Sequence, residues 1–337
     1  MNNLLIFGFG YSGRAVAEAV PDFIVNATSR SVDLSGAVMD RRDRVRTGTG
    51  GLGRHGTAPP TSWPAPEPAI STGMVPRQIT GSGPGDDVDG AVSLVPFDTV
   101  EPAIAVATHI LVTIPPDAGG DPVLNRYADV ITASHALRWI GYLSSTVVYG
   151  DRGGAWVDED TVPAPSQPRG LRRLDAERAW TRFAEQSAVD IIRLAGIYGP
   201  GRSAFDDLRA GTARRMYKPG HQFGRIHRDD IAQAVAAAMR QARGPGSRIL
   251  NLTDDVPSES AVVVAEAARL MGVAPPPEVP FADALPTMSP MARSFWAENR
   301  KVSSRKTQLA LGLRWLYPSF REGLAAVWRE ESGDRPC

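Results

Sequence analysis

The sequence predicts an α/β fold in which helices cover both faces of a doubly wound, parallel sheet. Short apolar runs alternate with amphipathic segments, as in repeated strand-helix-strand units. The first apolar run leads through three spaced glycines into an Ala-rich segment. A later run, residues 108–116, is continuously apolar, as expected of a strand buried on both faces of a sheet.

Length and composition are typical of a soluble globular protein with one large or two coupled domains. The chain has 337 residues, of which 42% are hydrophobic and 22% charged. Its 37 basic and 37 acidic residues cancel, so no overall field favours nucleic acid or an anionic membrane. Any anion must therefore be bound locally.

The cysteine and histidine content argues against disulfides and metal sites. Cys337 is the single cysteine, and the 5 histidines show no ligand spacing. The first apolar stretch, residues 4–7, is too short to be a signal peptide, and no run approaches the length of a membrane span. We expect a cytoplasmic protein with no metal, no nucleic-acid partner and no membrane partner. Its expected partners are a small-molecule substrate and a second copy in a homodimer.

The first element is a strand over residues 4–7 that leads into a dinucleotide-binding turn. Gly8 permits the tight turn, Gly10 lets a pyrophosphate approach the backbone, and Gly13 allows the following helix to pack closely. The helix start offers free N–H groups and a partial positive charge to a diphosphate. An ordinary glycine-rich loop is the alternative. The predicted cofactor-binding residues here are Gly8, Gly10, Tyr11, Ser12 and Gly13.

The second strand, residues 23–28, ends where a dinucleotide's adenosine ribose would lie. An acidic residue at this point would bind the ribose 2′-hydroxyl, but the sequence offers Thr28, Ser29 and Arg30, which suit a 2′-phosphate better. The sequence therefore favours NADP over NAD. Alternatively, Arg30 is a solvated loop cation.

Residues 40–90 lose all periodicity and are dominated by Arg, Gly, Pro, Thr and Ser. This composition is typical of a flexible insertion. A doubly wound domain should nevertheless supply a helix and a third strand in this interval. Two explanations stay open: a natural irregular insertion, or a stretch of a GC-rich gene translated out of frame. Retranslating the coding DNA in the other two frames would distinguish them.

Strands and helices resume after this interval and alternate to the end of the chain. Residues 108–116 predict a central strand whose end, Thr113, Ile114 and Pro115, should lie beside the cofactor. An amphipathic helix over residues 123–131 precedes a strand over residues 139–143, which delivers residues 144–150 to its carboxyl end. A helix over residues 170–185, strands at 189–194 and 249–252, and helical stripes at 231–239 and 264–271 complete the pattern.

Taken in order, these motifs resemble the extended short-chain dehydrogenase/reductase superfamily, which includes nucleotide-sugar epimerases and dehydratases. The resemblance covers residues 1–30 and 108 to about 324, through segments 8–13, 144–150, 193–202 and 226–232. It implies a Rossmann domain over residues 1–195, with 40–90 as an irregular insertion or frame-shifted stretch. A smaller C-terminal substrate lobe over residues 196–330, interleaved with the sheet, would follow.

The resemblance further implies an NAD(P)-dependent oxidoreductase or epimerase/dehydratase-like enzyme acting on a small anionic or nucleotide-sugar-like substrate. In the superfamily a Ser or Thr at this strand end hydrogen-bonds the substrate oxygen, and a Tyr-x-x-x-Lys pair transfers the proton. By position Ser145 matches the hydroxyl residue, with Thr146 adjacent, although strand-end turn chemistry would also explain both. Arg169 and Arg173 stand in the places of the Tyr and the Lys.

This replacement changes the expected chemistry. Arginine stays protonated, so Arg169 is a poor acid or base, but it could clamp an anionic substrate. Arg173 could hold the nicotinamide ribose or a phosphate. Alternatively, Arg169, Arg172 and Arg173 form a solvated helix face. The missing pair also admits a second hypothesis, an NAD(P)-binding sensor or scaffold without turnover.

The other polar residues of the predicted cleft and substrate lobe each have two explanations. Tyr149 and Tyr198, in loops near the predicted cleft, and His227, before a helix start, are conceivable proton carriers, but we expect them to have structural roles. Five polar residues fall on segments that surround the substrate in the superfamily, with surface charge as the alternative for each. These are Arg202, Arg225, Arg293, Asn299 and Lys301.

Overall fold

The computed structural model describes residues 2–29, 38–40 and 91–333. In chain order the strands are β1 (Asn3–Phe7), β2 (Ile24–Ser29), β3 (Val38–Asp40), β4 (Ala91–Pro96), β5 (His109–Val112), β6 (Trp139–Ser145), β7 (Trp156–Val157), β8 (Ala188–Leu194), β9 (Gly196–Tyr198), β10 (Arg215–Tyr217), β11 (Arg225–His227), β12 (Gly246–Leu252), β13 (Glu278–Pro280) and β14 (Lys301–Val302). The helices are α1 (Tyr11–Ala19), α2 (Glu101–Val106), α3 (Pro122–Thr132), α4 (Pro168–Thr181), α5 (Ala204–Arg209), α6 (Arg228–Arg240), α7 (Ser260–Met271), α8 (Phe281–Ala284), α9 (Pro290–Trp296), α10 (Arg305–Leu311) and α11 (Phe320–Ser332).

The central sheet has the order β12-β8-β6-β5-β1-β2-β4-β3. All neighbours pair in parallel except β3 and β4, which are antiparallel at the edge. Along the chain the strands spread from β1 first to one side and then, from β5, to the other. The crevice between the carboxyl ends of β1 and β5 is therefore the switch point where open α/β sheets bind ligands.

Alternating side chains of β1 supply both faces of the sheet. Leu4 and Ile6 join a core with helices α1 and α6, whereas Leu5 and Phe7 join a core with α2, α3 and α4. Every one of these four side chains is buried. The predicted doubly wound α/β fold is thereby confirmed.

The third parallel strand was expected within residues 40–90, but it follows that interval. It is β4, which begins at Ala91, immediately after that interval, and pairs with β2 through Leu94 opposite Ala27. The preceding strand β3 runs antiparallel to β4 and places Asp40 opposite Ala91. Residues 41–90, with both explanations offered for them, lie outside the described residues.

The second half of the chain adds smaller cores beyond the sheet. Tyr198, Phe205 and Phe320 centre one cluster, and Met216 and Trp296 belong to another. Short parallel pairs, β9 with β11, β10 with β13 and β7 with β14, connect these segments. Strand β12, from the same half, returns to pair with β8 in the main sheet. Among the described residues, no helix combines the length and apolarity needed to cross a bilayer.

Candidate active site

The turn after β1 is packed so tightly that only glycine fits at two positions. Gly8 has φ of 95°, and a Cβ there would lie 2.5 Å from Thr113 Oγ1 and 2.9 Å from Ile114 Cγ1. A Cβ on Gly13 would lie 2.7 Å from the carbonyl oxygen of Gly8. The glycine spacing thus serves close packing of turn, helix and neighbouring strand, as the dinucleotide motif requires.

Two threonines fix this turn from neighbouring strands. Thr113, just beyond β5, donates its hydroxyl to the Gly8 carbonyl at 2.7 Å. Thr28 accepts a bond from the Gly8 N–H at 3.1 Å and is only 1% exposed. The expectation that Thr28 faces a 2′-phosphate is therefore corrected, because its hydroxyl is buried inside the turn. Ser29 follows it, half-buried, at the end of β2, and Arg30 lies outside the described residues.

Helix α1 begins without a side-chain cap. Gly10 is its N-cap residue, and the first N–H bonded back to it is that of Arg14, at 3.0 Å. The N–H groups of Tyr11, Ser12 and Gly13 precede this bond and have no carbonyl partner within the helix. A helix start with uncapped N–H groups is suited to an anion.

A loop from the second half of the chain lies against this helix start. Tyr11 Oη donates to the Pro200 carbonyl at 3.1 Å. The guanidinium carbons of Arg202 and Arg228 lie 5.7 Å and 5.5 Å from the centre of the Tyr11 ring. Burial raises the pKa of Tyr11 well above its ordinary value, so the phenol stays protonated. Of the polar residues expected in the substrate lobe, Arg202 reaches the turn.

The two serines at the end of β6 differ in exposure. Ser144 is buried and donates its hydroxyl to Glu177 Oε1 at 2.5 Å. Ser145 is half-buried, and its oxygen accepts a 3.4 Å bond from the Val147 N–H. Thr146 is buried at the start of a 3₁₀ turn. Of these three hydroxyl residues, Ser145 is therefore the one that is not buried.

Sequence reasoning missed the buried ion pair that supports this strand end. Glu177 of α4 binds Arg193 of β8 through both carboxylate oxygens, at 2.7 Å and 3.1 Å, and both side chains are 4% exposed. The Arg193 guanidinium also lies 4.8 Å from the Tyr149 ring centre. An arginine inside the apolar strand 188–194 was a signal, because such a charge needs a buried partner.

Helix α4 carries the two arginines that stand in the Tyr and Lys positions. Arg173 is buried and donates to the Leu143 carbonyl at 2.9 Å and to Tyr142 Oη at 3.1 Å. A solvated helix face is thus wrong for Arg173. Arg169, in the first turn of α4, keeps exposed surface and lies with its guanidinium carbon 5.6 Å from the Phe295 ring centre.

The arginines of this region lack compensating charge. Loss of hydration lowers the pKa of Arg169, and repulsion from Arg173, Arg172 and Arg202 adds to the effect. Among the described residues, no carboxylate lies within the 4.0 Å ion-pair distance of any of these four guanidinium groups. Arg172 Nε is also buried without a hydrogen-bond partner in that part of the chain. Uncompensated positive charge of this kind is suited to an anionic ligand.

Other polar residues of the predicted cleft have internal partners. Tyr149 donates to Asn251 at 2.8 Å, and the Tyr198 ring packs edge-on against His227 at 5.1 Å. Burial lowers the pKa of His227 to about 4, so its imidazole is neutral near pH 7. These contacts agree with the expected structural roles. Within the described ranges, no group of three or more His, Cys, Asp or Glu side chains is arranged to hold a metal ion.

The remaining substrate-lobe candidates stabilise loops. Arg225 donates to the Phe223 and Ser258 carbonyls, each at 3.1 Å. Arg293 donates to a carbonyl at 3.1 Å and Asn299 to another at 2.9 Å. Lys301 lies 5.4 Å from the centre of a tryptophan ring. The structure therefore brings Arg202, but not these residues, to the cofactor turn.

Comparison with known proteins identifies the superfamily to which the chain belongs. No protein-family profile matches the chain. A 3-diazoavenalumate denitrifying reductase from Streptomyces sp is 31% identical over 262 residues, which is 71% of this chain and 84% of that protein. A structure of a functionally unknown conserved protein from Silicibacter pomeroyi DSS is 36% identical, covers 98% of this chain and 99% of that one, and has a TM-score of 0.75. The chain belongs to the extended short-chain dehydrogenase/reductase superfamily.

Two further comparisons give a partial sequence match and a shared fold. Protein YeeZ of Escherichia coli K12 is 28% identical over 179 residues, covering 52% of this chain, and the match spans only 63% of YeeZ. MoeE5, solved in complex with UDP-glucuronic acid and NAD, has the same fold, with a TM-score of 0.64 and 18% identity over 98% of this chain and 100% of that one.

Proposed function

We propose that this superfamily member is an NAD(P)-dependent oxidoreductase or epimerase/dehydratase-like enzyme that acts on a small anionic substrate. The observation that carries the proposal is the cluster of unpaired arginines beside an uncapped glycine turn. Both lie at the carboxyl ends of the same parallel sheet, where such sheets bind ligands. A nucleotide-sugar-like molecule, which is also anionic, is the alternative substrate.

The cofactor proposal rests on the fit of the turn. Gly8 and Gly13 leave no room for a side chain, and the N–H groups of residues 11–13 can hold a diphosphate. Residues 113–115 follow β5 at the switch point and would flank the nicotinamide, while Arg173 would contact its ribose. When bound, the nicotinamide supplies or accepts hydride. The NAD in the MoeE5 structure supports a nicotinamide dinucleotide here.

We propose NADP as the preferred form. Strand β2 ends in Ser29 followed by Arg30, so it lacks the acidic residue that would bind a ribose 2′-hydroxyl. A titration with NADP and NAD under identical conditions tests this preference.

On the substrate side, Ser145 would hydrogen-bond the reacting oxygen and Thr146 would support the turn behind it. Arg169 would hold the anionic group, because a guanidinium keeps its charge and binds carboxylate or phosphate through two parallel N–H groups. The denitrifying reductase relative, whose name describes a reduction, supports an oxidoreductase.

A second candidate is a cofactor-binding sensor or scaffold without turnover. Arg169 in the place of the tyrosine favours it, since an arginine does not exchange a proton near neutral pH. This protein would bind NAD(P) as tightly as an enzyme but release no product.

Melting curves and turnover assays separate these candidates. Saturating NADP or NAD should raise the melting temperature, because a ligand at about 100 times its Kd adds about 2.7 kcal/mol to folding stability. Gly13→Ala should abolish this shift, whereas Gly211→Ala, with open space around its Cβ position, should retain it. Absence of any shift in the wild-type protein would refute the proposed function.

The turnover assay then uses small carbonyl acids and nucleotide sugars, followed by nicotinamide absorbance. Substrate-dependent oxidation or reduction supports the enzyme. Cofactor binding without turnover on any of them supports the sensor. A homodimer and a cytoplasmic location also remain proposals, the first testable by light scattering and the second by fractionation of the source cells.

A further inference from the structure

We infer that the substrate is an aryl carboxylate, with its carboxylate on Arg169 and its ring against Phe295. This inference rests on the proposed function and names the substrate class of the same site. It follows from the surroundings of Arg169 on its two sides.

Arg169 interacts electrostatically with an arginine at the cofactor turn. Its guanidinium is close enough to Arg202 for the two charges to repel, and Arg202 in turn stacks on the Tyr11 ring at 5.7 Å. Arg172 and Arg173 add two more positive charges from the same helix. A carboxylate at this point would relieve the repulsion among these groups, whereas a neutral ligand would not.

The other side of Arg169 is apolar and aromatic. Phe295 is 43% exposed although its ring lies against the guanidinium, and Met291, four residues earlier on α9, is 40% exposed. Residues four apart share a helix face, so the two side chains form one apolar surface beside the charge. Helix α9 is held from its other face, where buried Trp296 stacks with His221 at 5.2 Å.

A substrate that satisfies both sides needs one anionic end and a planar apolar body. An aryl ring can lie flat on Phe295 or edge-on to it and cover Met291, while its carboxylate forms paired bonds to a guanidinium. A sugar would leave the apolar surface of α9 uncovered by apolar groups.

The test measures binding of defined probes to the full chain saturated with NADP, or with NAD if that form binds better. Calorimetry compares 2-naphthoate with its neutral isostere 2-naphthamide, with cyclohexanecarboxylate and with UDP-glucose. We expect 2-naphthoate to bind at least tenfold more tightly than either the amide or the non-aromatic acid. Equal affinity for the naphthoate and the amide would overturn the inference, as would binding of UDP-glucose alone.

Variants locate the site. Arg169→Gln should weaken 2-naphthoate at least tenfold, Arg169→Lys should weaken it less, and Phe295→Ala should remove the preference for the aryl acid over cyclohexanecarboxylate. Arg178→Gln is the matched control, because Arg178 is an exposed arginine on the same helix and pairs with Asp175. It should change nothing.

Each variant is first checked by melting temperature and cofactor affinity, so that a folding defect is recognised. If the wild-type protein binds no dinucleotide, the proposed function fails. If it binds the cofactor normally but not 2-naphthoate, or if Arg169→Gln binds naphthoate as tightly as wild type, only the substrate inference fails.

Discussion

The buried Glu177–Arg193 pair gives the sharpest stability prediction. Glu177→Gln keeps the side-chain shape but removes the negative charge, leaving the Arg193 guanidinium without a counter-charge at 4% exposure. Arg193 Nη1 already lacks a partner among the described residues. Breaking one partner of a buried ion pair costs about 3–5 kcal/mol. At about 2.1 cal/mol/K of unfolding entropy per residue, this corresponds to a drop in Tm of roughly 4–7 °C for a chain of this size.

The assay is thermal unfolding by circular dichroism, supported by urea midpoints. Asp175→Asn is the matched control on the same helix, because the Asp175–Arg178 pair is about 70% exposed and should contribute less than about 1 kcal/mol. Replacing Glu177 and Arg193 together with methionine should recover most of the loss, since no buried charge is left. A Glu177→Gln variant that melts within about 1 °C of wild type would refute the reasoning.

Three other perturbations test separate features. Gly8→Ala should weaken NAD(P) binding at least tenfold by calorimetry, because φ is 95° and the new Cβ would lie 2.5 Å from a side-chain atom. Gly211→Ala is the control and should leave NAD(P) affinity unchanged, since φ is 66° but the space around its Cβ position is open. Similar effects of the two substitutions would contradict the packing argument. Burial raises the pKa of Asp254 to about 7 against an ordinary value of 3.8, although Arg225 opposes the shift. The folded state therefore binds the Asp254 proton more tightly than the unfolded state does. The stability of wild type relative to Asp254→Asn should fall as pH rises from 5 to 8, as followed by Tm. A difference in Tm between the two proteins that does not change with pH would contradict the raised pKa of Asp254. Tyr11→Leu removes a 3.1 Å hydrogen bond to Pro200 and two cation–π contacts. Urea unfolding should therefore show a free energy of unfolding lower by about 1–3 kcal/mol. An unchanged urea midpoint would show that Tyr11 does not stabilise the loop that contains Pro200.

The cofactor turn was predictable because its information is local. Gly8, Gly10 and Gly13 follow a short apolar strand and precede a helix, and backbone sterics at that spacing allow few other structures. The sequence could not reveal that the hydroxyl of Thr28 is turned inward to bind Gly8. A threonine at a strand end has two hydroxyl environments open to it, and tertiary packing selects between them.

The site around Arg169 was only half predictable. Its position identified it as the replacement for a tyrosine, but Phe295 lies 126 residues further along the chain and no local pattern links the two. The pairing of Glu177 with Arg193 joins a helix to a strand in the same way. Contacts of this kind depend on how elements pack, which a single sequence encodes only through the whole fold.

The edge strand β3 lies in sequence between the parallel strands β2 and β4 and runs antiparallel to β4. Parallel strands ordinarily need a long crossover to return to the starting edge of the sheet. Here β3 itself runs back to that edge, and its last residue, Asp40, lies opposite the first residue of β4, Ala91. The end of β3 and the start of β4 are therefore cross-strand neighbours. An Asn-Gly turn joining Asp40 directly to Ala91 would close an ordinary hairpin, so a shortened gene of this design should yield a folded protein with the same sheet order.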